Sequence, residues 1–198
     1  MNEDIKRTVI SISLFGESNV GKTCICGVFL GLEFEAEHLS TVGIEKMISV
    51  IKIETGETIK LKLWDTAGQE RFHCISLNSL KNSQAAIVVF DLTNKESFEK
   101  VPFWLKQIRD YSTKVPIALF GNKSDLKKVE INQEEINKLC EIEDIVYFKT
   151  SAKENIGIID GFTKIATLAY KTVEKEDKIK KGQKLNNKKK ESKKKSFC

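Results

Sequence analysis

The segment "GESNVGKT", residues 16–23, constrains the fold of this chain more than any other stretch. It follows an apolar run, "TVISISLF", and leads into "CICGVFLGLEF", whose pattern predicts a helix. A loop of the form G-x-x-x-x-G-K-[ST] between a strand and a helix turns backbone N–H groups and the positive end of the helix dipole toward phosphate groups. Lys22 can reach the β- and γ-phosphates, and the hydroxyl of Thr23 can bind Mg²⁺. The motif predicts a nucleotide site but does not choose between ATP and GTP.

Short apolar runs alternate with helical patterns along the rest of the chain, which is typical of a parallel sheet wrapped by helices. The patterns predict strands near residues 8–15, 48–54, 58–64, 85–91, 115–120 and 145–150, and helices near residues 22–30, 97–111, 133–140 and 158–174. The short turn "ETGET" joins the second strand to the third, so this pair should be an antiparallel hairpin. In the third strand Ile59, Leu61 and Leu63 should face the core, while Lys60 and Lys62 face water. We therefore predict an α/β fold with a six-stranded, mostly parallel sheet and helices on both of its faces.

The charge of the chain is unevenly distributed. The formal net charge is +5, yet residues 177–198 alone hold ten lysines against Asp177 and Glu191, so the rest of the chain is slightly acidic. This basic segment has almost nothing to bury, which predicts a disordered lysine-rich tail after a single domain over residues 1–176. Such a tail is compatible with a solvated segment, a nucleic-acid or nuclear-localisation patch, or an attachment to an anionic membrane surface.

The cysteines indicate a reduced, cytosolic protein. They are odd in number and scattered along the chain, which argues against a disulfide framework and against a paired metal site. Their positions are Cys24, Cys26, Cys74, Cys140 and Cys198. The longest purely apolar run, "AAIVVF", is far too short to span a membrane.

The segment "GNKSD", residues 121–125, favours guanine as the base. It comes directly after a predicted strand, at the carboxyl edge of the sheet where folds of this class bind ligands. The carboxylate of Asp125 can accept from the N1–H and the exocyclic amine of guanine, which adenine does not present in that arrangement. Asn122 can bond the opposite edge of the base, and the stem of Lys123 can lie over the ring. Alone, this composition would be more typical of a plain turn.

The segment "TSAK", residues 150–153, strengthens that interpretation because it follows the next predicted strand. The hydroxyl of Ser151 and the backbone N–H groups of Ala152 and Lys153 can reach the same base. A plain turn could explain one of these loops, but two such loops at successive strand ends favour a shared guanine site. The chain is therefore predicted to bind GTP and GDP.

The segment "WDTAGQERF", residues 64–72, has the pattern of a γ-phosphate sensor. Asp65, at a predicted strand end, can hold Mg²⁺ through a water, Gly68 can donate its N–H to the γ-phosphate, and Gln69 can position the attacking water. Upstream, Thr41 in "LSTVGIE" can complete the metal shell. Asp65 alone would suggest a helix cap and Gln69 alone a solvated side chain, but together they indicate GTP hydrolysis that depends on Mg²⁺.

The four motifs together resemble the Ras superfamily of small GTPases, and within it most closely the Rab family, over about residues 8–170. The resemblance implies a P-loop small G domain that is a monomeric, slowly hydrolysing GTP switch in vesicle trafficking. It also implies that Phe34 packs edge-on against the guanine. The expected nucleotide contacts are Gly16, Ser18, Asn19, Val20, Gly21, Lys22, Thr23, Cys24, Phe34, Thr41, Gly68, Asn122, Lys123, Asp125, Ser151, Ala152 and Lys153. The expected metal ligands are Thr23, Thr41 and Asp65, and the expected catalytic residues are Lys22, Thr41 and Gln69.

The resemblance also implies partners and a location. The segments around Thr41 and Gln69 would be two switches, which an exchange factor, a GTPase-activating protein and effectors recognise. The chain would be cytoplasmic and peripheral on the cytosolic face of endomembranes, with Cys198 carrying a lipid and the tail contacting anionic lipid; no nucleic acid is expected as a partner.

Three departures from the Rab pattern bear on those partners. Lys46 stands where Rabs usually have phenylalanine, and Ser79 and Leu80 stand where Rabs usually have tyrosine. A single terminal Cys198 replaces the usual pair of prenylatable cysteines. The first two departures fall on surfaces that resemble the effector face, so they predict a different effector preference and leave the nucleotide chemistry unaffected.

Four other readings remain open at this stage. They are another class of Ras-superfamily GTPase, a GTP-binding protein with little hydrolysis, a P-loop ATPase or kinase, and a nucleic-acid-binding protein led by the lysine tail. A kinase would need an arginine-rich lid, yet the arginines of the chain are Arg7, Arg71 and Arg109.

Overall fold

The computed structural model describes residues 8–35, 41, 43–68 and 78–195, without the side chains of residue 177 and residues 180–195. Its strands are β1 (Val9–Phe15), β2 (Ile44–Lys52), β3 (Thr58–Thr66), β4 (Ala85–Asp91), β5 (Ile117–Asn122) and β6 (Val146–Lys149). They form one six-stranded sheet in the order β2-β3-β1-β4-β5-β6. Strands β2 and β3 pair antiparallel and the other neighbours pair parallel. The predicted α/β fold, with its hairpin, is confirmed.

Helices cover both faces of this sheet and divide the core in two. They are α1 (Lys22–Phe29), α2 (Lys95–Glu99), α3 (Val101–Tyr111), α4 (Gln133–Glu143) and α5 (Ile158–Lys195), with a 3-10 turn at Ser79–Asn82. Helices α1 and α5 pack on one face, around residues such as Ile25 and Phe162. Helices α3 and α4 pack on the other, around residues such as Trp104 and Ile136. Because both faces are covered, all seven residues of the central strand β4 are buried.

The hairpin β2–β3 is covered on one face only. Ile59, Leu61 and Leu63 of β3 are buried as the alternation predicts. The opposite face is open, and in β2 the side chains of Ile48 and Val50 are 46% and 48% exposed. The hairpin therefore presents apolar surface outside the core.

Most predicted boundaries differ from the observed ones by a few residues, and two of the differences have a clear physical reason. Strand β2 begins at Ile44, four residues before its predicted start, because backbone pairing with β3 continues through Lys46, where the side chains show no apolar alternation. The predicted helix over residues 97–111 is two helices, α2 and α3. Pro102 lies in the first turn of α3, and proline is tolerated there but not inside a helix, so a new helix starts at this point.

The C-terminal segment departs most from its prediction. Helix α5 continues to Lys195, so the predicted helix end at residue 174 is wrong, and the segment predicted to be disordered from Asp177 is helical that far. The segment has no proline, and its ten lysines, with Gln183, Leu185 and Glu191, have high helix propensity, so the helix can continue without a core to pack on. The division into a domain and a tail at residue 177 stays a prediction. Within the described ranges, no helix combines the length and the apolar character that crossing a bilayer requires.

Candidate functional site

The glycine-rich loop between β1 and α1 is pressed against the end of β4. Gly16 has φ 134° and Gly21 has φ 94°, both in the region that favours glycine. A Cβ atom on Gly16 would lie 2.1 Å from the carbonyl oxygen of Val89. A side chain would therefore push the loop off the sheet. Asn19, at φ 62°, occupies the left-handed region that asparagine tolerates better than most residues.

Lys22 is a buried cation inside this loop. Only 6% of the residue is exposed, and its Nζ donates to the carbonyl oxygens of Gly16, at 2.9 Å, and Glu17, at 2.8 Å. Burial lowers the pKa of Lys22 to about 8, an effect that the nearby charges of Asp65 and Glu17 partly oppose. An ammonium group buried in this way gains a strong partner when an anion such as a phosphate enters the loop.

Three oxygen-bearing side chains meet beside Lys22. The hydroxyl of Thr23 donates to Asp65 Oδ2 at 2.6 Å and lies 2.7 Å from the hydroxyl of Thr41. Because Thr23 gives its hydrogen to Asp65, Thr41 must be the donor in the second bond. Oxygen ligands of this kind suit Mg²⁺, which usually combines one or two protein ligands with waters and substrate phosphates. No group of three histidine, cysteine or carboxylate side chains suited to a metal occurs in the described ranges, so the fit rests on these hydroxyls and Asp65.

Asn122 joins the glycine-rich loop to the loop after β6. It closes strand β5 and is 2% exposed. Its Nδ2 donates to the carbonyl oxygen of Val20 at 2.8 Å, and its Oδ1 accepts from the backbone N–H of Ala152 at 3.2 Å. That Asn122 also bonds the edge of the base stays a prediction; the contacts observed here hold the two loops in register.

Ser151 and Asp125 are also linked to one another. The hydroxyl of Ser151 donates to Asp125 Oδ1 at 2.6 Å, and Ser151 is fully buried. The sequence predicts that this hydroxyl contacts the base, which stays a prediction. In the structure it orients the carboxylate, which is the group that can select a base.

A cavity of about 500 Å³ lies between these loops, within the range typical of small-molecule sites. The described residues predicted as nucleotide contacts line it, with the exception of Gly16, Val20 and Ser151, which lie behind its wall. Phe34 belongs to the lining and is 38% exposed. The predicted Gln69 and Cys198 lie outside the described residues.

Sequence reasoning missed three residues of the cavity wall. They are Glu35, Thr66 and Leu126. Each directly follows a residue that was predicted to belong to the site or its metal shell, and this adjacency is the signal that could have found them.

The described cysteines do not offer a nucleophile to the cavity. Cys24, Cys26 and Cys140 are free thiols, as predicted. Burial, helped by the nearby negative charge of Asp65, raises the pKa of Cys24 and Cys26, so both thiols stay protonated near neutral pH.

Comparison with known proteins agrees with this geometry. The sequence profile of the Ras family matches residues 11–171. The Ras-related protein YPTC6 of Chlamydomonas reinhardtii is 38% identical over 169 residues, which are 84% of this chain and 78% of that protein. The Ras-related proteins Rab-30 of Homo sapiens and Rab-13 of Rattus norvegicus are 39% and 37% identical over 160 residues, each match covering 80% of this chain and 78% of the relative. The profile match runs from inside β1 into α5 and so includes every loop of the cavity.

Proposed function

Because the chain belongs to the Ras family of small GTPases, within its Rab branch, we propose that it acts as a slow guanine-nucleotide switch in intracellular vesicle traffic. Members of this family bind guanine nucleotide, hydrolyse GTP and act through regulator and effector proteins. The observation that carries the proposal is a single cavity bordered by Lys22 and Thr23 from the phosphate loop and by Asp125 from the loop after β5. This cavity can hold the triphosphate and the base of one nucleotide, and the protein works as a monomer without nucleic acid.

The phosphate end would bind Mg²⁺ and the triphosphate together. Thr23 and Thr41 would hold the metal directly and Asp65 would hold it through a water; when bound, the ion neutralises charge on the β- and γ-phosphates. Lys22 would contact the same phosphates. In the structure the hydroxyl of Thr23 is hydrogen-bonded to both Thr41 and Asp65. Metal binding would replace these hydrogen bonds with bonds to the ion.

Gly68 brings the second switch close to the phosphate loop. A Cβ atom on Gly68 would lie 2.5 Å from the backbone of Glu17 and from Lys22 Nζ. Only glycine permits this approach, which would place the Gly68 N–H beside a γ-phosphate. Loss of the γ-phosphate on hydrolysis would release both Gly68 and Thr41, the change by which a switch of this kind signals.

The experiment that tests the function is single-turnover hydrolysis with purified protein, together with affinities for GTP and ATP. We expect strong preference for GTP and hydrolysis on the order of 10⁻⁴ s⁻¹ without an activating protein, since an added arginine contributes about 10³–10⁵ in this class. Tight GTP binding with no measurable hydrolysis would favour the alternative of a binding protein without catalysis. Equal affinity for ATP would contradict the proposal.

Gln69→Leu is expected to slow this hydrolysis by about tenfold or more, because leucine cannot orient the attacking water. The affinity for GTP should be unchanged, so the variant should stay loaded with GTP. The measurement is the single-turnover rate of preloaded protein, with Gln133→Leu on the exposed side of α4 as a matched control. An unchanged rate in Gln69→Leu would remove Gln69 from the mechanism.

Effectors would bind the open face of the hairpin, here called the hairpin face: Lys46, Ile48, Val50, Lys62 and Trp64. Lys46 pairs across the strands with Trp64, and Ile48 with Lys62. Lys62 Nζ lies 5.6 Å from the centre of the Trp64 ring, within cation–π range. Apolar side chains bordered by lysines fit a partner segment that is both apolar and acidic.

The 3-10 turn makes little contribution to this surface. Ser79 and Leu80, which the sequence placed on the effector face, are 5% and 1% exposed. Leu80 packs into the core beneath α3, and the carbonyl of Ser79 accepts from Ser83. The difference from other Rabs is therefore concentrated at Lys46.

Lys46→Phe is expected to weaken an effector captured with GTP-loaded protein, because the acidic group opposite Lys46 loses its partner. The loss should appear mainly in the association rate at low salt, by a few-fold, and disappear at high salt, since salt screens exposed charges. Lys106→Phe on α3 serves as the control, its side chain being 70% exposed and outside the hairpin face. Equal affinity of wild type and Lys46→Phe at low salt would contradict the proposed partner chemistry.

The lysine-rich end of the chain would hold the protein on the cytosolic face of endomembranes. Ten lysines in residues 177–198 can attract an anionic surface at about 1 kcal/mol for each lysine close to it. One lipid chain anchors only marginally, so a prenyl group on Cys198 and the polybasic segment would act as two signals. By analogy with the Rab branch, the lipid would be added to Cys198 by a Rab-type transferase.

Cys198→Ser is expected to abolish the mass increment of a prenyl group and to release the protein from anionic liposomes at moderate salt. Intact mass of protein purified from its native cell, followed by liposome flotation at two salt concentrations, checks both. An unmodified Cys198 in protein that floats only at low salt would leave the lysines as a weak electrostatic tether and contradict the lipid anchor.

A further inference from the structure

Asp91, the last residue of β4, has a carboxylate that is held from two sides. Its Oδ1 accepts from the backbone N–H and from the hydroxyl of Thr93, both at 2.8 Å. Its Oδ2 lies 2.7 Å from Lys123 Nζ. The side chain of Asp91 is 9% exposed. Asp91 does not itself line the cavity, but its partner Lys123 does. The nucleotide chemistry described above leaves this buried ion pair without a role.

Lys123 is fixed at both of its ends. Its backbone has φ 63°, a left-handed conformation that is uncommon for a residue other than glycine. The preceding residue, Asn122, pairs with Asp91 across strands β4 and β5, so the start of the lysine side chain is set by the sheet. Asp91 holds the opposite end. A lysine stem usually samples many rotamers, and here it is confined to a path along the cavity.

We propose that Asp91 is a positioning residue for the nucleotide base, because it holds the stem of Lys123 as one wall of the base site. This inference rests on the proposed function, since it needs a base in the cavity. Asp91 itself would touch no nucleotide. An amide at position 91 could still accept from Thr93 but would offer Lys123 no charge, so the lysine would turn toward water and the base would lose its wall.

The test is the release rate of GDP and of inosine diphosphate from Asp91→Asn. Both rates should rise by about tenfold, which corresponds to one weakened bond to a charged group. The two rates should rise by the same factor, because the stem packs on the ring plane that both bases share and not on the exocyclic amine. Single-turnover hydrolysis of bound GTP should stay within about twofold of wild type, since the metal and phosphate ligands lie on other loops. Asp110→Asn, in the exposed pair with Lys106 at 2.6 Å, is the matched control and should release GDP like wild type.

A double-mutant cycle separates positioning from a general effect on folding. Lys123→Met keeps most of the stem without the charge, and adding Asp91→Asn to it should not accelerate GDP release further. If Asp91→Asn alone does not fold, Asp91→Glu keeps the charge on a longer side chain that displaces Lys123 Nζ, and it should also accelerate GDP release; an unchanged rate would overturn the inference. Fully additive effects, or a lower melting temperature of Asp91→Asn with unchanged GDP release, would overturn the inference. Wild-type protein that binds no guanine nucleotide would contradict the proposed function itself, whereas normal wild-type binding with unchanged release from the variant would contradict only the role of Asp91.

Discussion

Asp125→Asn is expected to change the base preference of the protein from guanine to xanthine. The carboxylate can accept from two N–H groups of guanine, and each such bond is worth about 1.5–3 kcal/mol, so the affinity for GTP should fall by about 10²–10⁴-fold. An amide at this position can donate to the additional carbonyl oxygen of xanthine. The variant should fold, because an amide oxygen can still accept from the hydroxyl of Ser151, which now bonds Asp125 Oδ1 at 2.6 Å.

Affinities for GTP and for xanthosine triphosphate, measured by displacement on the same preparations, check this result. Asp160→Asn makes the same chemical change at an exposed position of α5 and should leave both affinities as in wild type. A variant at position 125 that keeps the wild-type preference for GTP would show that another group selects the base.

Lys22→Met is expected to remove most of the binding energy for GDP and GTP. Two bonds from an ammonium to phosphate oxygens would be lost, which predicts at least a hundredfold weaker binding. Methionine has a similar length and does not carry the charge whose burial lowers the pKa of Lys22. Methionine also leaves the carbonyls of Gly16 and Glu17 without the donor that Lys22 supplies, so the stability of the nucleotide-free variant is measured separately from its gain on binding.

Unfolding with and without GDP and Mg²⁺ provides the measurement. Wild type at a ligand concentration about 1,000 times its Kd should gain about 4 kcal/mol of unfolding free energy, and Lys22→Met should gain no more than about 1.4 kcal/mol at the same concentration. Lys106→Met, whose lysine side chain is 70% exposed, should gain as much as wild type. Equal gains in Lys22→Met and wild type would mean that Lys22 does not hold the phosphates.

The order of strands and helices could be predicted because each element carries its own pattern. Strand β4 is a continuous apolar run and β3 alternates, and these two patterns identify a central strand and a half-exposed one. The start of β2 could not be predicted in this way, because pairing of backbone groups extends it through Glu45 and Lys46. The extension of α5 was missed for a different reason: composition indicated that the segment has nothing to bury, but helix propensity does not require burial.

The residues of the candidate site could be predicted because four short motifs hold most of them. What the motifs could not reveal is how distant segments bond to each other. The motif predicted a contact of Asn122 with the base but not that its amide bridges Val20 and Ala152, which lie 102 and 30 residues away in the chain. Asp91 was not assigned at all, since its partner Lys123 belongs to another motif and meets it only through the pairing of β4 with β5.

The open hairpin has a consequence for how copies of the folded protein behave at high concentration. Strand β2 is at the edge of the sheet, so among the described residues one side of its backbone has no neighbouring strand. An edge strand with exposed Ile48 and Val50 is a surface on which a second copy can add its own edge, the first step of aggregation. Lys46 and Lys52 flank this apolar pair on the same strand, and lysines on an edge oppose such pairing by repulsion between copies. Lys46 is therefore expected to oppose pairing between copies whether or not a partner is bound, and an apolar residue at this position would remove that repulsion while adding contact area.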